Sequence, residues 1–507
     1  MSDLTVDRTT NGWQTNDGDL LILAQSPHLD RGSVKAALSV RRNGTLLWTQ
    51  NVNLTSDISR KRFIQAVRQK EAEVREGVLL ALEEVCRQRR WVKANDAPPS
   101  DFSEKVPITS WTEMEAVVRK WLLISDPGVL RIMLGTLLAH RFGGDPVWMF
   151  LIAPPGGAKT ELLRATYSVP GIYPLSELTA RTLASGLDTP SGDPSLLARL
   201  SDQVLVLKDF TTILEMSRQE RQAILAQLRE IYDGRFDKAW GTGKELHWRG
   251  RLGFLAGVTP VIDRHQAVLA VLGERFLQAR IWQPDRLKVA EAAMLTVGRE
   301  DEMREELARA VAGCLAGFDT TVVPEVPPSA RLKLSRLADF TTRARSGVLR
   351  DGQRRDLDYA PEPEVPTRFA RQLLSLLRGI AGTREGGRGG PDDLALLQRV
   401  ALDCIPAQRR LVLNALVQGE TDSELSTSEV AGKGRYSTPT IRRALEDCQA
   451  LGLVSVTKQG QGHPDSWRLL DEWQETFSEM LEGGTSGDSP GRDEDNDSEA
   501  GQTWKDL

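Results

Sequence analysis

Lys159 and Thr160 are the residues best placed for chemistry in this sequence, because of what precedes them. They close the eight-residue stretch Ala153-Pro154-Pro155-Gly156-Gly157-Ala158-Lys159-Thr160, which follows the apolar run VWMFLI and leads into ELLRA. A short strand, a small-residue turn, Lys-Thr and a helix make the spacing of a phosphate-binding loop. Gly156, Gly157 and Ala158, set off by Pro155, let backbone N–H groups curl around a polyphosphate, and the helix start adds partial positive charge. Lys159 can neutralise β- and γ-phosphates, the Thr160 hydroxyl can hold Mg²⁺, and Glu161 completes a Lys-Thr-Glu triplet. Ala153 and Ala158 stand where the usual pattern has glycine. Alanine at a position needing positive φ costs energy, so the loop is expected to differ in detail. The plainer alternative is a glycine-rich turn joining any strand to any helix.

Two further polar residues end apolar runs. QVLVLKDF closes on Asp209, and RLGFLAGVTP on Thr259. Short apolar runs alternate here with helical spacing, as in Trp111 to Arg141 and Ser217 to Tyr232, which predicts a parallel α/β sheet. Ligands of such sheets sit beyond the carboxyl ends of the strands. One site can therefore collect Lys159, Asp209 and Thr259. Asp209 would hold Mg²⁺ through water or orient the attacking water, although Lys208-Asp209 replaces the Asp-Glu pair expected there.

Leu228 to Pro260 resembles a region of AAA+ ATPases in which a helix is followed by a β-hairpin and then the sensor-1 strand. Phe236 to Trp240 and Lys244 to Arg249 would form the hairpin, and Thr259 would be sensor 1. Leu272-Gly273-Glu274-Arg275-Phe276 resembles the family's Leu-x-x-Arg-Phe box, which implies Arg275 as a finger on a neighbouring subunit's ATP. An always-charged planar donor suits that role. Val365 to Leu373 resembles the start of the sensor-2 helix, with Arg368 as the candidate for the γ-phosphate and Arg331 and Arg336 as competitors. The chain also resembles ATP-binding, helicase-like proteins of phages and mobile elements. The AAA+ resemblance covers about half the sequence, roughly Trp111 to Ile380, and the second one the whole chain. It implies a P-loop NTPase sheet with a helical lid, ATP and Mg²⁺ as cofactors, and a homo-oligomer that could be a hexameric ring.

Asp392 to Leu470 resembles a winged helix-turn-helix. STSEVAGK is its short second helix, and Tyr436 to Leu451 the recognition helix, with Pro439 suited to its first turn. Thr438, Thr440, Arg442 and Arg443 would face DNA, and Lys458 on the wing would reach phosphate. Ala431 to Leu470 holds six Lys/Arg against three Asp/Glu, a modest excess that supports this. A winged helix used for protein contacts is the alternative. Lys244, near the hairpin tip, is a second DNA candidate; Trp240 and Trp248 read as packing residues.

The remaining sequence sets boundaries. The net charge of −5 comes from the tail: Glu482 to Leu507 carries −6, leaving the rest near +1, so whole-chain charge decides nothing about nucleic acid. The tail's composition predicts disorder. Four scattered cysteines lack metal or disulfide spacing. A polar start and the absence of a long apolar run imply a cytoplasmic protein with no membrane partner. The organisation expected is a small α+β domain over 1–95, a linker over 96–110, the ATPase core over 111–283 and the lid over 284–385. The winged helix over 392–475 and an acidic tail over 482–507 follow. The expected function is an ATP-hydrolysing motor or loader on DNA. An ATP-switched DNA-binding regulator with little turnover, and an interaction protein with a degenerate loop, are the competing readings.

Overall fold

The computed structural model describes residues 6–485 except 10–11, 31–32, 44, 71, 89–106, 125, 188–194, 266–274, 282–284, 352–356, 360–361, 418–423, 435 and 459–463. Most of the expected linker and acidic tail, and Leu272 to Glu274, lie outside the described residues. The chain divides into two compact units, Met1–Asp101 and Phe102–Leu507.

The first unit is a five-stranded antiparallel sheet in sequence order, β1 (Val6–Thr9), β2 (Gly12–Asp17), β3 (Leu20–Asp30), β4 (Ser33–Arg42) and β5 (Thr45–Asn53). Alternation along β3 and β4 buries Ile22, Ala24, Leu38 and Val40 on one face. Helices α1 (Asp57–Arg68) and α2 (Glu76–Gln88) cover that face with Phe63, Val67, Val78 and Leu82. β3 to β5 carry apolar runs, whereas VDRT and GWQTND of β1 and β2 are mostly polar.

The second unit opens with α3 (Trp111–Trp121) and α4 (Gly128–Arg141), then β6 (Trp148–Ile152), α5 (Lys159–Ala165), β7 (Ile172–Leu175), α6 (Ala180–Leu183) and β8 (Val204–Leu207). Next come α7 (Thr211–Glu215), α8 (Arg218–Tyr232), the hairpin β9 (Arg235–Ala239) and β10 (Glu245–Arg249), β11 (Gly253–Val258) and β12 (Phe276–Arg280). The central sheet is parallel, in the order β12-β6-β11-β8-β7. All five residues of β6 are buried, as an apolar run with no polar face requires. Alternate side chains feed two cores. Met149, Leu151, Leu255 and Leu277 join one, while Trp148, Phe150, Phe254 and Phe276 join the other. In the second core, the Phe150 and Phe276 rings stack 3.9 Å apart. Full burial of each such side chain is worth about 1.5–3 kcal/mol. β7 is an edge strand that patterning misses, since Pro174 breaks the apolar run.

Helices α9 (Arg286–Leu295), α10 (Glu300–Ala316), α11 (Pro328–Arg345) and α12 (Thr367–Gly382) follow, with the short pair β13 (Leu349–Arg350) and β14 (Leu357–Tyr359) between the last two. α12 lies directly on α4. A Cβ placed on Gly379 would sit 1.9 Å from the Gly135 carbonyl oxygen, so this crossing needs glycine. Gly298, at φ +81°, breaks what the sequence presents as one helix into α9 and α10. The C-terminal part comprises α13 (Pro391–Asp403), α14 (Ala407–Val417), β15 (Leu425–Ser426), α15 (Thr427–Gly432), α16 (Thr438–Ala450), β16 (Val454–Thr457) and β17 (Ser466–Leu469). Its small antiparallel sheet has the order β15-β17-β16. A final helix, α17 (Asp471–Thr485), buries Phe477 and Met480 and begins within the region assigned to the winged helix. It takes four residues from the expected acidic tail.

The structure is thus mixed α/β. It has an N-terminal antiparallel sheet, a central five-stranded parallel sheet among helices, and a helical C-terminal part with a small antiparallel sheet. No described helix is long and apolar enough to cross a membrane.

Candidate functional site

Because β6, β8 and β11 run parallel and adjacent, their carboxyl ends share one edge of the sheet. Lys159 opens the helix after β6, Asp209 follows β8, and Thr259 follows β11, so that edge gathers all three. β11 lies between the other two strands, and a Cβ on its Gly257 would meet the Lys208 carbonyl oxygen at 2.7 Å and Lys159 Cδ at 3.5 Å.

The loop after β6 is shaped by backbone geometry. Gly156 has φ +78°, and a Cβ on Gly157 would press 2.9 Å from the Pro154 carbonyl oxygen. Ala158 takes φ +59°, the left-handed conformation where glycine is usual, at a cost of about 1–2 kcal/mol. The turn therefore imposes strain on the alanine. Among the described residues, no backbone acceptor takes the N–H groups of Gly156, Ala158, Thr160 or Glu161. The Gly157 and Lys159 N–H groups close the turn on the Pro154 and Gly157 carbonyls; the other four donors suit an anion with several oxygens.

The Lys159 side chain is buried, and its Nζ donates to the Ala153 carbonyl at 3.3 Å. Burial lowers its pKa, and the nearby Asp209 carboxylate opposes that shift. One oxygen of Asp209 accepts the Thr211 N–H at 2.9 Å. The Thr211 hydroxyl accepts from the Thr259 N–H at 3.0 Å and donates to Thr259 Oγ1 at 3.2 Å. Thr211 thus ties the acid to the threonine on the neighbouring strand. Thr211 carries no motif of its own; its place two residues after Asp209 is the signal in the sequence that points to it.

Glu161 is held from two sides. Arg164 Nη1 donates to it at 2.9 Å and Arg304 Nε, on α10, at 3.1 Å. Glu161 therefore anchors a helix beside the loop, and Arg304 is a second residue that local patterning did not reveal. A cleft of about 270 Å³ adjoins the loop. Gly156 to Glu161 form one wall; Trp121, Leu122, Val289, Ala292 and Met303 form an apolar wall opposite. The cleft pairs a polar cradle with an apolar slot, the usual make-up of a ligand site.

The two arginines lie elsewhere. Arg275 immediately precedes β12, at the amino edge of the same sheet. It is buried, pairs with Asp233 at 2.9 Å and stacks 5.4 Å from the Tyr232 ring centroid. Gln372 Nε2 donates to its carbonyl oxygen at 2.6 Å. Arg368 begins α12 and pairs with Glu364 at 2.8 Å. It lines a cavity of about 630 Å³ with Asp145, Tyr232, Asp233, Arg251 and Arg371. Asp145 precedes β6 and Arg251 precedes β11, so this cavity also sits at the amino edge. The expectation that Arg368 joins the Lys159 site is not met, because α12 starts at the wrong end of the sheet. Its neighbour is Arg275, whose pKa is lowered by burial and then by the Arg368 charge.

The DNA candidates are also dispersed. The hairpin tip folds back on the protein: Lys244 Nζ donates to the Leu187 carbonyl at 2.7 Å, and the Trp240 ring leaves no room for a Cβ on Gly186. Lys244 is therefore tied down rather than projecting. Trp248 is buried, as expected of a packing residue. On α16, Thr438 and Arg442 are exposed, whereas Thr440 and Arg443 are half-buried and line a cavity with Arg350 and Gln408. Arg442 pairs with Glu446 at 3.1 Å and Asp465 at 3.5 Å. Lys458 is exposed at the end of β16.

No protein-family model matches the chain, and no curated protein matches it.

Proposed function

We propose that the second unit binds ATP with Mg²⁺ at the loop after β6 and hydrolyses it as an AAA+-like, DNA-associated motor or loader, with a C-terminal winged helix. The observation that carries this reading is the meeting of Lys159, Asp209 and Thr259 at one sheet edge, beside a turn in which the N–H groups of Gly156, Ala158, Thr160 and Glu161 have no backbone acceptor among the described residues. In this reading the N–H groups and Lys159 hold the phosphates, and the apolar slot takes the base. Thr160 and Asp209 offer a hydroxyl and a carboxylate. That donor set fits Mg²⁺, which keeps several waters and takes its other oxygens from phosphates. When bound, the ion would neutralise phosphate charge. Asp209 and Thr259, coupled through Thr211, would orient the attacking water. Arg275 is at the opposite edge, so it would serve ATP held by a second copy of the chain, in a ring or another head-to-tail assembly. The helix pair α15–α16 and the strands β15 to β17 support the winged-helix assignment.

A specific observation favours the switch reading as the runner-up. β8 is followed by Lys208-Asp209, a single acid, and one of its oxygens is already engaged by Thr211. An ATP-switched regulator would bind tightly and turn over little. Radiolabelled ATP hydrolysis, with and without DNA, separates the two. DNA-stimulated turnover abolished by Lys159→Ala supports the motor. Tight binding without turnover supports the switch. Absence of nucleotide binding overturns both.

A further inference from the structure

We infer that the chain holds a single-stranded nucleic acid in a groove between α16 and the turn Pro260–Arg264, not on the outer face of α16. The inference rests on the DNA-associated part of the proposed function and relocates its contact surface.

Two cavities of about 480 and 440 Å³ share Gln408, Ala444 and Asp447 as lining. The first also meets Asp263, Arg264, Arg409 and Tyr436; the second meets Arg350, Asp351, Thr440 and Arg443. The carboxylates are largely occupied. Asp263 is forked by Arg280 at 2.7 and 3.1 Å. Asp447 is shared between Arg350 at 2.6 Å and Arg409 at 3.3 Å. Asp351 stands exposed at the rim. Among the described residues, Arg264 and Arg443 enter no ion pair, and they stand one in each cavity. Two unneutralised guanidinium groups, an amide and a hydroxyl between them, and a tyrosine alongside suit a phosphodiester backbone with a base stacked on the ring.

The outer face suits it less. A duplex is read by an exposed helix lying in the major groove. Here Thr440 and Arg443 are half-buried against Arg350 and Gln408, and the outward Arg442 has its charge answered by Glu446 and Asp465. A single strand can thread between packed elements that exclude a duplex. Arg264 also closes the turn that begins just after Thr259, so a bound strand would touch the segment leaving the candidate ATP site.

The test uses the full chain and a fluorescein-labelled oligothymidylate, read by anisotropy across a salt series. Arg264→Ala and Arg443→Ala should each weaken binding roughly tenfold and reduce the log–log salt slope by roughly 0.7, the value for one single-strand phosphate contact. Arg443→Lys should restore most of the slope, which separates lost charge from misfolding. Arg442→Ala should change little, and duplex should compete poorly. Wild-type binding by both alanine variants, or a preference for duplex that depends on Arg442, would overturn the groove. ATP binding is measured on the same wild-type protein. A chain that binds ATP but no oligonucleotide loses the groove and keeps the nucleotide site. One that binds oligonucleotide through Arg264 and Arg443 but no ATP does the reverse.

Discussion

The Lys159 pocket and the amino edge of the parallel sheet handle charge in opposite ways. At the carboxyl edge Glu161 pairs with Arg164 and Arg304, and Arg280 with Asp263, but among the described residues Lys159 and Asp209 enter no ion pair. Lys159 reaches only a carbonyl, and Asp209 accepts a backbone N–H. At the amino edge four arginines crowd together, and each has an acid: Arg275 with Asp233, Arg368 with Glu364, Arg371 with Asp145 and Arg251 with Asp202. The first arrangement keeps its charges for a ligand. The second satisfies itself, and a ligand or a second copy must displace an acid before an arginine can act. In the Arg275 pair only the acid faces water: Asp233 has more than half its side chain exposed while Arg275 is buried, so freeing the arginine needs a replacement anion for a buried charge.

The sharpest way to break this contrast is Arg275→Ala. If Arg275 leaves Asp233 to serve a neighbour's ATP, steady-state turnover falls about 10³-fold or more while ATP affinity holds. Unchanged turnover would leave Arg275 as a structural partner of Asp233 and Tyr232. Lys159→Ala probes the other edge. Losing a buried cation that faces phosphates should weaken ATP binding roughly 100-fold, about 3 kcal/mol, by equilibrium titration. A smaller loss would place the phosphates elsewhere.

His140 offers a pH test of the amino edge. It is buried beside Arg251, and burial, reinforced by that cation, lowers its pKa to about 4. The unfolded chain takes up the proton near 6.5 and the folded chain resists it, so stability is whole above 6.5 and declines as pH falls toward 4. The full loss is on the order of 3 kcal/mol. Denaturant midpoints of wild type and His140→Gln should converge across that window. Parallel curves would show that His140 is not the group responsible. The smallest effect belongs to Ala158→Gly. Removing the Cβ at φ +59° should raise stability by up to about 1 kcal/mol, or leave it level once glycine's extra unfolded-state freedom is counted. A clear loss would mean that the methyl packs better than the strain costs.

Much of this is legible in the sequence. The strands that matter are short, wholly apolar runs, and a parallel topology puts their following residues on one edge, so Lys159, Asp209 and Thr259 could be grouped from sequence. Arg368 could not be placed that way. Its position depends on how α12 crosses α4, a matter settled by Gly135 and Gly379 some 240 residues apart in sequence. Thr440 and Arg443 show the same limit. Helical spacing puts them on a common face, but only the packing of Arg350 and Gln408 decides that this face is enclosed. Lys244 reads as a projecting tip until Leu187 supplies an acceptor.

The Gly135–Gly379 contact has a practical consequence. Backbone against backbone leaves no slack between α4 and α12, so a pair of spectroscopic labels on the solvent sides of those two helices would serve as a fixed ruler. α9 buries none of its residues, and Gly298 follows it. A second label pair, from α9 to the end of α3, would therefore report any motion over the loop against a built-in internal standard.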